Sequence, residues 1–102
     1  MSRLEKLKEM YKLDPTDDFV RYGLAMEYRT EEQYEQASQL FDGLIADDPP
    51  HVPSYFMKTQ MLADIEKVEE AKATLTEGIA QAKTQNNQHA AGEMTEFLAS
   101  LE

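Results

Sequence analysis

The side chains whose types could carry out chemistry here are few: two histidines, His51 and His89, and a carboxylate cluster of Glu31, Glu32 and Glu35. Imidazole and carboxylate groups would suit a metal site or a general acid and base. A metal site wants donors at three- or four-residue intervals around one point, and neither histidine is expected to have a partner at a useful spacing. The three glutamates are expected at the exposed start of a helix, where the macrodipole favours negative charge without any catalytic role. Cysteine is absent, which removes disulfides, thiolate metal sites and the commonest nucleophile. There is no Ser-His-Asp order, zinc motif or phosphate-cradling glycine loop, and Gly23, Gly43, Gly78 and Gly92 all fall inside helical patterns. These residues predict no enzyme activity, no metal and no cofactor.

The elements that would position such groups are set by composition first. The chain has 102 residues, 41% of them hydrophobic, which is room for one core and one domain. Its net charge of −10 is unevenly placed. Residues 1–13 carry four basic and two acidic groups, residues 14–48 two basic and ten acidic, and residues 49–102 four basic and eight acidic. Phosphate backbones are bound through Lys and Arg, so this charge makes nucleic acid and anionic membranes poor partners. Charged residues break every apolar run near the amino terminus, leaving no signal-peptide core and no stretch long enough to cross a bilayer. The expectation is a cytoplasmic protein.

Self-similarity at an offset of 34 organises the rest. Asp14-Pro15 recurs as Asp48-Pro49, Glu32 as Glu66, Glu35 as Glu69, Ala37 as Ala71 and Ile45-Ala46 as Ile79-Ala80. Tyr22 likewise becomes Phe56, Tyr28 becomes Leu62 and Phe41 becomes Leu75. Within each unit the apolar spacing is helical: Phe19, Tyr22 and Met26 with Leu24, Ala25 and Tyr28, then Tyr34, Ala37, Phe41, Leu44 and Ile45. Thr30-Glu31-Glu32-Gln33 reads as a capping box opening the second helix, with Asp64 in the same role one unit later. Pro49-Pro50 closes the first pair, and Pro53 suits the first turn of the next helix. Residues 2–13 match the second helix of a unit that lacks its first, with Ser2 and Glu5 as its capping box. Residues 87–101 carry the stripe Ala90, Ala91, Met94, Phe97, Leu98 and Leu101, a terminal helix for which Asn86 or Asn87 would be the cap.

This pattern resembles the tetratricopeptide repeat, a 34-residue helix-turn-helix unit. Leu24, Ala25, Tyr28, Ala37, Phe41 and Pro49 match the family signature in the first unit, and Tyr55, Leu62, Ala71, Leu75 and Gly78 in the second. Arg21 stands where a bulky residue is usual and Leu44 where a small one is, while Lys58, Thr59 and Lys83 depart in the second unit, with Thr59 expected to weaken its packing. The resemblance implies an all-α fold, a short right-handed solenoid of antiparallel helix pairs with about six helices: a half-repeat helix over 2–13, repeats over 15–48 and 49–83, and a capping helix over 87–101.

It also implies a role in binding, because stacked pairs curve and the first helix of each lines the concave side. By position in the repeat that side carries Phe19, Tyr22, Met26 and Arg29 with Thr30, then Phe56, Gln60 and Asp64 with Ala63. Aromatic anchors with an adaptable Met and one Arg suit a peptide or a helix laid in a groove. The competing reading makes Phe19, Tyr22 and Phe56 inter-helix core. Some members of the family grip carboxylate tails with a Lys and Asn clamp; Tyr22 and Met26 hold those positions, which disfavours that ligand. The expected partner is a protein or peptide, with a homodimer or an assembly-capping role as the alternative.

Overall fold

A computed structural model describes all 102 residues as six helices and no strand: α1 (Arg3–Leu13), α2 (Asp18–Thr30), α3 (Tyr34–Ile45), α4 (Val52–Asp64), α5 (Val68–Thr84) and α6 (Gln88–Ser100). Three of them start on side-chain caps. The Ser2 hydroxyl accepts from the Glu5 amide at 3.1 Å while the Glu5 carboxylate returns to the Ser2 amide, completing the capping box. Asp17 accepts from the Phe19 and Val20 amides, and Asn87 from the Ala90 amide at 3.1 Å. Pro53 lies in the first turn of α4, and Pro49 and Pro50 lie between helices.

The capping boxes expected at Thr30 and Asp64 do not form. Thr30 is the last residue of α2, its hydroxyl donating to the Met26 carbonyl at 3.1 Å, and Asp64 is the last residue of α4. The chain instead reverses through Glu32 and Glu66, at φ 60° and 64°. The Gln33 amide then reaches back to the Tyr28 carbonyl, and the Lys67 amide to that of Leu62, each at 2.8 Å. The last carbonyls of a helix need donors, and a left-handed residue followed by a back-turned amide supplies them. Each turn is thus built to end the first helix, and Gln33 and Lys67 start the second without a side-chain bond.

Each helix packs on its neighbours in the chain, and in addition α2 meets α4 and α4 meets α6. The backbones of α1, α3 and α5 do not approach one another closely. The even helices therefore form a closed inner layer and the odd helices a splayed outer one, which is the curvature expected of stacked pairs. The stack measures 40 × 29 × 18 Å, its thin dimension matching two helix layers.

Small side chains make the crossings possible. Ala25, Ala37 and Ala71 have no exposed surface, and Phe41, Met61, Leu75 and Met94 are fully buried around them. Each of these large side chains contributes about 1.5–3 kcal/mol through burial. Thr59 replaces alanine at the crossing of the second pair, where it is fully buried and its hydroxyl donates to the Tyr55 carbonyl at 2.7 Å. The departures at Arg21 and Leu44 also find their reason. In the second unit Gly78 faces Tyr55 so closely that a methyl there would sit 2.6 Å from Tyr55 Cβ. One unit earlier the same two places hold Leu44, fully buried, and Arg21, which reaches Asp47 in the loop after α3.

Candidate interaction site

The inner layer carries a groove of about 340 Å³ where α2, α4 and α6 meet. Tyr22 forms one wall, Phe56, Met57 and Gln60 the floor, and Ala90 and Glu93 the far wall. Tyr22 and Phe56 are both half-buried, so each is partly core and partly groove. The Tyr22 ring meets Phe41 edge-on at 6.3 Å and His51 at 5.0 Å, and burial pushes its phenol pKa up. Phe56 leans on Phe97 of α6 with ring centroids 5.5 Å apart.

Three of the residues expected on the concave face, Tyr22, Phe56 and Gln60, line this groove together. Arg29 and Asp64 lie outside it and pair with each other at 2.8 Å, tying the end of α2 to the end of α4. Asp64 is largely exposed, so that pair aligns the helices more than it stabilises them. Met26 packs against the Ala25, Ala37 and Phe41 cluster. Phe19 does neither: it is 76% exposed at the head of α2, and Val20 takes the buried place expected of it. The reading of Phe19 as part of the inter-helix core is therefore corrected.

The contribution of α6 was missed in the sequence, although its signal is there. Carried one unit further, the 34-residue step from Tyr22 and Phe56 lands on Ala90. A methyl where the first two units carry rings leaves the space that the groove occupies.

The groups with chemical potential are scattered. His51 is half-buried against Tyr22, its Nδ1 2.7 Å from the Ser54 hydroxyl, and burial holds its pKa below the ordinary value. Beside it, Arg21 bridges Asp47 and Asp18, the latter at 2.6 Å. Hydrogen bonding to Arg21 lowers the Asp47 pKa. These contacts fasten α2 to the loop between the pairs. His89 does have a neighbour, contrary to expectation: Glu93, one turn further along α6 and 3.2 Å away, in an exposed pair. Of the glutamate cluster only Glu35 sits in the first turn of a helix; Glu31 caps the end of α2 and Glu32 makes the turn. No group of three or more His, Cys, Asp or Glu is placed to hold a metal ion, and no helix is long and apolar enough to cross a membrane.

Inner groove, paired helices and 34-residue step together define the tetratricopeptide-repeat fold, and the chain has that fold. Among solved structures, a tetratricopeptide repeat domain protein from Salinibacter ruber is similar at 28% identity and a TM-score of 0.80, over 87% of this chain and 90% of that one. A protein from Bordetella parapertussis shares the fold with a TM-score of 0.83 at 21% identity, over 99% of this chain and 88% of that one. No protein-family model matches the sequence, and no curated protein does.

Proposed function

We propose that the chain is a non-catalytic interaction module that holds a peptide or a segment of a partner protein in the groove between α2, α4 and α6. The observation that carries this reading is the convergence of Tyr22, Phe56 and Gln60 from two helices on one open, largely apolar cleft. Half-buried rings offer contact area at low entropic cost, and Met57 and Gln60 give an adaptable floor. The proposed contact surface extends beyond the cleft along α2 and α4 to Phe19, Met26, Arg29 and Asp64. The similarity to a tetratricopeptide repeat domain protein supports a role in holding other proteins.

The test is capture from native lysate by the immobilised chain. Tyr22→Ala combined with Phe56→Ala is expected to lose the captured proteins while the helical circular-dichroism signal stays close to wild type. Retention of the same proteins, with the fold intact, refutes the groove.

Self-association or capping of a larger assembly is the alternative. The free faces of the end helices are mostly polar, α1 exposing Glu5, Lys6 and Glu9 beside the apolar Met10 and Leu13, and α6 exposing His89, Gly92 and Glu96. Polar outer faces are what terminal helices of a solenoid need to stay single. Sedimentation of the same sample is expected to show a monomer.

A further inference from the structure

The splayed outer layer leaves a wedge between each pair of neighbouring odd helices, floored by the even helix beneath. The internal repeat makes the two wedges directly comparable, position by position. Between α3 and α5, Lys58 rises from α4 and pairs with Asp42 of α3 at 2.5 Å, its own side chain only 16% exposed. That ion pair occupies the wedge at its floor and rim. Thirty-four residues earlier the same two places are Leu24 and Lys8. Leucine cannot reach up to a rim, and lysine at the rim finds no acid below it. The first wedge is accordingly open, a groove of about 480 Å³ between α1 and α3 over α2.

Its chemistry is unlike that of the rest of the molecule. Leu24 and Leu40 make an apolar floor, with Tyr11 and Tyr28 half-buried beside them. Lys8 lies over the Tyr28 ring, its ammonium 5.7 Å from the centroid, and Lys12 stands on the same rim. Gln36 and Gln39 face them from α3 with amide donors and acceptors. None of the lining residues is acidic, in a chain with twenty carboxylates and ten cations. Lys12 pairs with Glu9 at 3.6 Å, and both partners are exposed enough for water to screen the pair.

We infer that this outer groove is a second docking surface, independent of the inner one, and that its occupant is an acidic segment of another protein that places an apolar side chain over Leu24 and Leu40 and carboxylates against Lys8 and Lys12. Charge complementarity decides the occupant. Residues 1–13 are net positive on a chain whose remainder is strongly negative, so an acidic segment is drawn to this groove and repelled elsewhere. A basic segment meets the reverse.

The experiment uses the full chain and a labelled amphipathic peptide of glutamates around one leucine and one phenylalanine four positions apart, with a second peptide in which lysine replaces every glutamate. Fluorescence anisotropy is expected to show saturable binding of the glutamate peptide, weakening as salt is raised, and none of the lysine peptide. Lys8→Glu with Lys12→Glu, both at exposed positions, is expected to cost about tenfold or more in affinity while leaving capture through the inner groove unchanged. Lys8→Asp with Leu24→Lys transplants the plug of the second wedge and is expected to abolish binding with the helical signal retained. Should burial of Leu24 make that variant unfold, the two rim substitutions still decide the matter. The inference is overturned if the glutamate peptide does not saturate, if the lysine peptide binds equally, or if the rim variant binds as wild type. It is equally overturned if the wild-type chain proves dimeric and the rim variant monomeric, which would make a second copy the occupant.

Discussion

Gly78 shows how one residue sets the spacing of a pair. With Tyr55 Cβ 2.6 Å and the Met94 sulfur 3.0 Å from where a methyl would stand, Gly78→Ala forces α5 away from α4. Overpacking of this kind typically costs about 1–3 kcal/mol, and thermal denaturation is expected to show a lowered midpoint for Gly78→Ala. Gly92, whose added methyl would meet nothing within 4 Å, serves as the control and is expected to gain slightly from the same change through helix propensity. Both glycines look alike in the sequence, each inside a helical stripe. Only the partner helix distinguishes them, and a partner is not a local property. The same holds for Arg21 and Leu44: each departs from the family signature when read alone, and they make sense as a pair, set against Tyr55 and Gly78 in the next unit.

At the scale of the helix, periodicity and caps located all six elements, because apolar spacing and the chemistry of Ser2, Pro53 and Asn87 act within a single turn of chain. The turns inside the pairs were misread for a physical reason. Thr-Glu-Glu-Gln has the letters of a helix start, but the unsatisfied carbonyls of α2 claim the turn first, and Glu32 is driven to positive φ to satisfy them. A side chain with a Cβ is strained there by about 1–2 kcal/mol relative to glycine. Glu32→Gly and Glu66→Gly are therefore each expected to stabilise the chain, by roughly 0.5–1 kcal/mol once the extra freedom of glycine in the unfolded chain is counted. Chemical denaturation measures this directly, and a loss of stability in both would mean that the turns are held by the glutamate side chains. The inner groove was half legible: Tyr22, Phe56 and Gln60 follow from repeat position, whereas the wall from α6 required carrying the repeat into what reads as a simple cap. The core reading of Phe19 fails because helical spacing cannot tell a first-turn residue facing a neighbour from one facing water.

Taken whole, the molecule is two helix layers of unequal closure, and that inequality is mechanical as well as geometric. Its inner layer is continuous from α2 to α6, while its outer layer is broken twice. At the second break Lys58 fastens α4 to Asp42 of α3, whereas no ion pair crosses the groove at the first. A rod held on one side flexes where the other side is unfastened, so compliance is expected to concentrate at the joint between α1 and the body. Of the residues in α1 only Leu7 is fully buried, with Leu4 and Tyr11 half-buried, Lys8 over the Tyr28 ring and the Arg3 to Glu27 ion pair completing the joint. Hydrogen exchange is expected to release the amides of α1 well before those of α4 and α5, and uniform protection across all six helices would contradict it. A guest wedged against α1 would then act as a splint, and stiffening would be the signal it transmits.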